Sequence, residues 1–289
     1  MAFVDTLVEI APFTVRLRSP LPGLDLHLET FYRGATHAPD GRFHDFDIEL
    51  LPGRGLRRWW RPQVRFVLDG HEHFLPLPAE QAGPVFEWGL NWAIASQALG
   101  YLVMHAAVLA RNGRAIMLPG FPGAGKSTLC ASLALIEGWQ LLSDELAILE
   151  PDSGLLLPHP RPISLKNASI EVVRAFPGAR LGPVYSDTRK GTVTHAAVPE
   201  ASLAQARQSA RCQWILFPRF VAGQPAAIEE IERAEAFKLI AEQSFNRERM
   251  GGTGFDAMMA LLGGARCFVA SYPSTADGLA VVREICSEA

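Results

Sequence analysis

The stretch Gly120-Phe121-Pro122-Gly123-Ala124-Gly125-Lys126-Ser127 satisfies G-x-x-x-x-G-K-[ST] at every required position. Residues in this order handle phosphate. The glycines let the backbone fold tightly enough for successive N–H groups to surround phosphate oxygens, and the N-terminus of the following helix adds partial positive charge. Lys126 then supplies a full charge between the outer phosphates, and the hydroxyl of Ser127 is a ligand for Mg²⁺. ATP and Mg²⁺ are the ligands to expect, with Gly120 to Ser127 and the adjoining Thr128 as the contacts. An acidic pair, Asp144-Glu145, follows close behind, after Leu141-Leu142-Ser143. In most proteins with such a loop the Mg²⁺-supporting acid lies much further downstream, so here the next strand must carry it. Adjacent carboxylates on a strand point to opposite faces and take different roles, unless a bulge or turn redirects them. The plainer alternative is a solvated turn at a strand end.

These residues need a strand, a loop and a helix to position them. Ala115-Ile116-Met117-Leu118 reads as the strand before the loop, and Lys126 to Glu137, with Leu129, Leu133 and Ile136, as the helix after it. Tyr101 to Ala110 and Gln140 to Leu149 read as flanking strands. Further on, strands are expected at Gln213 to Phe217, Ala227 to Ile231 and Cys267 to Ala270, and helices at Ala234 to Gln243, Phe255 to Leu262 and Thr275 to Cys286. This alternation implies an α/β core over residues 101–289. Upstream, short apolar-polar alternations such as Phe46-Asp47-Ile48-Glu49-Leu50, punctuated by Gly and Pro, describe a strand-rich module over residues 1–78. It closes on a tight hairpin at Asp69-Gly70. Between the two, Phe86, Leu90, Ile94 and Ala98 recur at helical spacing, so residues 79–100 form a linking helix.

Bulk properties exclude several classes. A chain of 289 residues, 48% hydrophobic and 20% charged, can bury a sizeable core. Its net charge of −3 argues against a nucleic-acid partner. The cluster of Arg54, Arg57, Arg58 and Arg61 around Trp59 and Trp60 reads as a solvated turn. Four scattered cysteines form no C-x-x-C pair and suit a reducing cytoplasm. The N-terminus has no basic segment typical of a secretory signal. The longest apolar stretch, Ala98 to Ala110, is too short for a membrane span. His71 and His73 lack a third metal ligand, and Gly251-Gly252-Thr253-Gly254 lacks the preceding strand of a dinucleotide loop.

The string His105-Ala106-Ala107-Val108-Leu109, then Gly113 to Leu118, the loop, and Gly138 to Glu145 resembles the catalytic core of the HPr kinase/phosphorylases. Those enzymes carry a His-Gly dipeptide, a phosphate-binding loop and an Asp-Asp pair. The resemblance spans about Leu102 to Leu149. It extends to the HprK-related kinases through Pro160 to Asn167 and Lys190 to His195. Ala106, Thr128 and Glu145 depart from the pattern, standing where the HPr enzymes have Gly, usually Glu, and Asp. The resemblance implies a P-loop kinase core of the HPr kinase type with a smaller strand-rich N-terminal module. It places His105 beside the phosphates. It also brings homo-oligomerisation, known in that family, among the expectations.

For a kinase, Lys126 and the loop amides hold the nucleotide, and Ser127 with Glu145 holds Mg²⁺. Asp144 accepts or orients the proton of the acceptor hydroxyl, or the two carboxylates exchange roles. Arg189, Lys190 and His195 fall in a Gly-, Thr- and Ser-rich segment, Gly182 to Ala197. Such a segment either closes over the nucleotide and brings cations to the γ-phosphate or stays a disordered loop. Arg161 and Lys166 are further cationic candidates. The function expected is ATP-dependent transfer to a hydroxyl of a protein, peptide or small molecule, with serine of a protein or peptide foremost. A non-catalytic nucleotide-binding sensor is the alternative. A guanine-nucleotide switch ranks lower, because no Asn/Thr-Lys-x-Asp signature is present.

Overall fold

Alternating apolar residues in the first part of the chain do build strands: β1 (Val4–Ile10), β2 (Phe13–Ser19), β3 (Thr36–His37), β4 (Phe46–Pro52), β5 (Gln63–Leu68), β6 (His71–Glu72) and β7 (Leu77–Pro78). They form one sheet in the order β3-β1-β2-β4-β5-β6, with β7 also on β5. The computed structural model describes residues 3–120 and 123–287, a mixed α/β arrangement with several sheets. The hairpin at Asp69-Gly70 joins β5 to β6, both turn residues having positive φ.

One segment departs from the strand reading. Leu24-Asp25-Leu26-His27-Leu28 alternates like a strand, yet Leu24–Phe31 is a helix, α1. Leu24, His27, Leu28 and Phe31 are its buried residues, the i, i+3, i+4, i+7 set of one helical face. Burial of that face, not alternation, decides the conformation.

The linking helix is α2 (Ala82–Gln97). Phe86, Leu90 and Ile94 are fully buried in the same core as Val15, Ile48, Leu50 and Phe66 of the N-terminal sheet. The approach is close enough that a Cβ on Gly89 would lie 2.0 Å from the Phe66 ring.

Beyond it come β8 (Leu102–Arg111), β9 (Arg114–Pro119), α3 (Lys126–Leu135), β10 (Gln140–Ser143), β11 (Leu146–Glu150), β12 (Leu155–Leu157), β13 (Ile163–Lys166) and α4 (Ala168–Arg174). Next are β14 (Tyr185–Thr188), β15 (Gly191–Ala196), α5 (Glu200–Ala204), β16 (Ala210–Phe220), β17 (Ala227–Glu230), α6 (Arg233–Glu242), α7 (Arg247–Met250), α8 (Gly252–Gly263), β18 (Arg266–Tyr272) and α9 (Thr275–Ser287). In the second sheet β9 lies between β8, antiparallel to it, and β16, parallel to it, and β16 runs parallel to β18. One face of that sheet packs on α3 and α9 through Leu129, Leu133, Leu279 and Val282. The other packs on α6 and α8 through Ile240, Met258 and Leu262. Helices on both faces explain why β8 and β9 read as nearly continuous apolar runs. The glycines at 251, 252 and 254 sit at the junction of α7 and α8, Gly251 with φ 58°.

Two details depart from expectation and bear on the site. Residues 140–149 are not one strand: β10 and β11 share an edge of β8 but are interrupted at Asp144-Glu145, after a register shift between Leu141 and Ser143. Most of residues 182–197 is regular and not a disordered loop, because β14 and β15 form a hairpin over 185–196 that joins β13 in a small third sheet. No described helix is long and apolar enough to cross a membrane.

Candidate functional site

The site gathers where β9 ends and α3 begins. Gly123 and Gly125 adopt φ of 91° and 85°, the left-handed region that glycine enters without steric cost. A side chain at Gly125 would also meet Phe220, its Cβ 3.0 Å from that of Phe220. Phe121 and Pro122, two of the expected nucleotide contacts, lie outside the described residues. The loop places Lys126 as the first residue of α3, with its side chain turned back towards the strand ends. Its ammonium donates to Nε2 of His105 at 2.8 Å and to the carbonyl of Gly120 at 3.4 Å. An ammonium only donates, so Nε2 of His105 accepts and the imidazole is neutral. Burial and the charge of Lys126 push His105 down to about 4, in keeping with that assignment. Burial also lowers Lys126, against the pull of Asp144 and Glu145.

The interruption between β10 and β11 resolves which acid goes where. A bulge before it turns Asp144 inward, where it is buried. Its Oδ2 accepts from the hydroxyl of Ser127 at 3.3 Å and from the backbone N–H of Ser164, on β13, at 2.9 Å. Its Oδ1 is buried with no hydrogen-bond partner. Burial, reinforced by Glu145, pushes the Asp144 carboxyl up to about 6. Glu145 instead faces a set of cations. Burial alone would raise its carboxyl, but Lys190, Lys166, Arg161 and His105 outweigh that and hold it below its ordinary value. Two adjacent carboxyls are thus pushed apart, one towards neutrality and one towards lasting charge, as in paired acids that divide roles.

Beside these groups lies a cleft of about 740 Å³. Its polar floor includes His105, Lys126, Ser127, Thr128, Glu145 and Lys166, and its apolar wall Leu129, Val172, Phe220 and Tyr272. Lys166 projects from the end of β13, so a strand that sequence patterning does not single out delivers both it and the Ser164 amide. Lys190 sits at the β14–β15 turn with its ammonium 4.9 Å from the centre of the Trp88 ring. Arg189, next to it, is exposed, as Lys190 is, and neither lines the cleft.

His195 and Arg161 do not serve as cleft cations. His195 lies on β15, buried beside the rings of His27 and Phe31, and burial drives it down to about 4. Arg161 is buried too, its guanidinium 2.5 Å from the carboxylate of Glu87 and bonded to the side-chain oxygen of Asn91. Asn91 in turn donates to Glu145. Neither Asn91 nor Glu87 carries a motif signal. Glu87 is nonetheless conspicuous as an acid inside the apolar pattern of the linking helix.

Among the described residues no group of three or more His, Cys, Asp or Glu side chains converges as a metal cage. Mg²⁺ does not require one: it takes one or two protein oxygens and fills the remaining positions with water and phosphate. The Ser127 hydroxyl and the unpartnered Asp144 Oδ1 are oxygen donors of that kind. No protein-family model matches the chain, and no curated protein matches it in sequence.

Proposed function

We propose that this protein is a Mg²⁺-dependent phosphotransferase that moves the γ-phosphoryl group of ATP onto a hydroxyl, on a core of the HPr kinase type. The observation that carries the reading is the contact between Ser127 and Asp144, beside Lys126 at the start of α3. A phosphate-binding loop with its hydroxyl bonded to a half-satisfied buried carboxylate is the arrangement that nucleotide and Mg²⁺ need.

Phosphoryl transfer asks the protein for position and charge more than for covalent chemistry. The loop amides and the α3 N-terminus orient the phosphates, and Lys126 exchanges His105 for phosphate oxygens. The apolar wall at Val172, Phe220 and Tyr272 receives the base. Ser127 and Asp144 would hold Mg²⁺, which would neutralise charge on the phosphate oxygens. This favours the exchanged roles for the two acids. Glu145, kept ionised by its neighbours, accepts the hydrogen bond of the acceptor hydroxyl and aims its oxygen at phosphorus. As the new O–P bond forms, the bond to the β-phosphate oxygen breaks and the hydroxyl proton passes to Glu145 or through it to water. Lys190 and Lys166 offset the charge that accumulates on the transferred group.

The test is transfer of radiolabelled phosphate from [γ-³²P]ATP to fractionated lysate, comparing the wild-type protein with Asp144→Asn. Label incorporated by the first and not by the second supports a kinase and marks its acceptor. Nucleotide binding with no transfer in any fraction turns the reading to a non-catalytic sensor.

A further inference from the structure

One turn of the linking helix reaches three charged residues of the site. Glu87 and Asn91 stand at i and i+4 on α2 and so share one face, and Trp88 follows Glu87 in the same turn. Glu87, fully buried, accepts both from the Arg161 guanidinium at 2.5 Å and, through its backbone carbonyl, from the same group at 2.8 Å. Trp88 presents its ring to the ammonium of Lys190. Asn91 bridges the other two: its amide nitrogen donates to Glu145 and its amide oxygen accepts from Arg161. That orientation is the one chemistry allows, because a guanidinium has only donors and an ionised carboxylate only acceptors. Glu87 is in turn bonded to His27 at 2.8 Å and to the hydroxyl of Tyr32 at 2.9 Å. His27 belongs to α1 and Tyr32 follows directly on it, so the chain of contacts runs from the N-terminal sheet's own helix to the acid beside the cleft.

We propose that Asn91 is the positioning residue of Glu145, and that the acceptor side of the site is assembled jointly by the N-terminal sheet, through α2, and by the nucleotide-binding core. The inference rests on the phosphotransferase reading for its chemistry. Lys166, Lys190 and His105 act on Glu145 through their charge, whereas Asn91 is bonded to its carboxylate directly. Asn91, backed by the buried Arg161–Glu87 pair, is the contact that fixes where its carboxylate points. Asn91 does not itself line the nucleotide cleft, so its loss should act through Glu145 and not through a lost nucleotide contact.

The whole 289-residue chain carrying Asn91→Asp tests this. Aspartate keeps the shape and the acceptor facing Arg161 but sets a second carboxylate against Glu145. MgATP affinity by calorimetry should stay within about two-fold while kcat falls roughly 100-fold, the scale of a misplacement of about 1 Å in a reacting group. Asn91→Gln, which keeps both the donor and the acceptor of the amide, should recover part of the loss. Wild-type kcat in Asn91→Asp, or affinity and turnover lost together, overturns the proposal. Should Asn91→Asp not fold, Asn91→Ser is read by the same criteria. If the wild-type protein itself transfers no phosphate, the functional reading fails separately. A crystal structure of the variant then decides the positioning claim: a displaced Glu145 with the glycine loop unmoved supports it, and an unmoved Glu145 contradicts it.

Discussion

Replacing Arg161 by methionine removes one partner of an ion pair that is buried on both sides. The guanidinium makes three bonds, to the Glu87 carboxylate and carbonyl and to Asn91, and the substitution leaves Glu87 charged, enclosed and bonded only to His27 and Tyr32. Breaking one side of such a pair costs about 3–5 kcal/mol, roughly a hundred- to several-thousand-fold in the folding equilibrium. The pH dependence has a definite sign. Burial alone would raise the Glu87 carboxyl, but the charge of Arg161 and the bond from His27 hold it well below its ordinary value of 4.5. A depressed carboxyl contributes stability that is present above that value and lost as pH falls through the folded one. In Arg161→Met the burial effect is no longer offset, the carboxyl rises, and protonation relieves the buried charge. The deficit relative to wild type should therefore be largest near pH 7 and shrink towards pH 5. Urea unfolding followed by circular dichroism measures both quantities. The double variant Arg161→Met/Glu87→Gln should regain at least half of the loss, because no unpaired charge remains. A single-variant cost below about 1 kcal/mol, or a double variant as unstable as the two singles summed, would refute the argument.

Further outcomes are expected at the site and in the core. Asp144 is pushed up to about 6; if it binds metal as the anion, as proposed, Mg²⁺-dependent nucleotide affinity should fall up to about ten-fold per unit as pH drops below that value, and a flat profile from pH 7 to 5 would contradict it. A raised folded carboxyl contributes stability present below its unfolded value and lost as pH rises through about 6, so Asp144→Asn should leave the ligand-free protein as stable as wild type at pH 8 or more so, by thermal unfolding. Gly89→Ala places a Cβ 2.0 Å from the Phe66 ring and should cost about 1–3 kcal/mol in urea unfolding despite alanine's better helix propensity, with Phe66→Leu restoring part. Lys190→Ala should lower turnover at least roughly ten-fold with nucleotide affinity nearly intact; unchanged turnover removes Lys190 from the site.

The parts of the fold that are legible in the sequence are those where local pattern and tertiary burial agree. The strand, glycine loop and helix around Lys126 declare themselves because closely spaced glycines, a lysine and a hydroxyl between two apolar runs suit a phosphate loop and little else. The hairpin at Asp69-Gly70 is legible because a turn that needs positive φ at both central residues favours that dipeptide. Helix α1 is not legible, because its leucines alternate while its buried set follows helical spacing, and only the neighbouring sheet reveals which pattern is used. A break at Asp144-Glu145 is open to the sequence as an option, but its direction depends on pairing with β8, more than thirty residues earlier in the chain for most of its partners. Arg161, His195 and Lys190 look alike in sequence as cations near the site. Burial separates them: Arg161 is neutralised by Glu87, His195 is kept uncharged, and Lys190 remains at a turn. The part played by Asn91 is invisible in the sequence, since a single amide in a helix carries no spacing signal.

The central claim is that the glycine loop and Lys126 bind the phosphates of ATP with Mg²⁺. Isothermal titration of the full chain with MgATP, beside Lys126→Ala, tests it most directly. Saturable binding by the wild-type protein, lost in the variant while its thermal unfolding stays cooperative, is the predicted result. Absence of MgATP binding by the wild-type protein, or equal binding by Lys126→Ala, would contradict it.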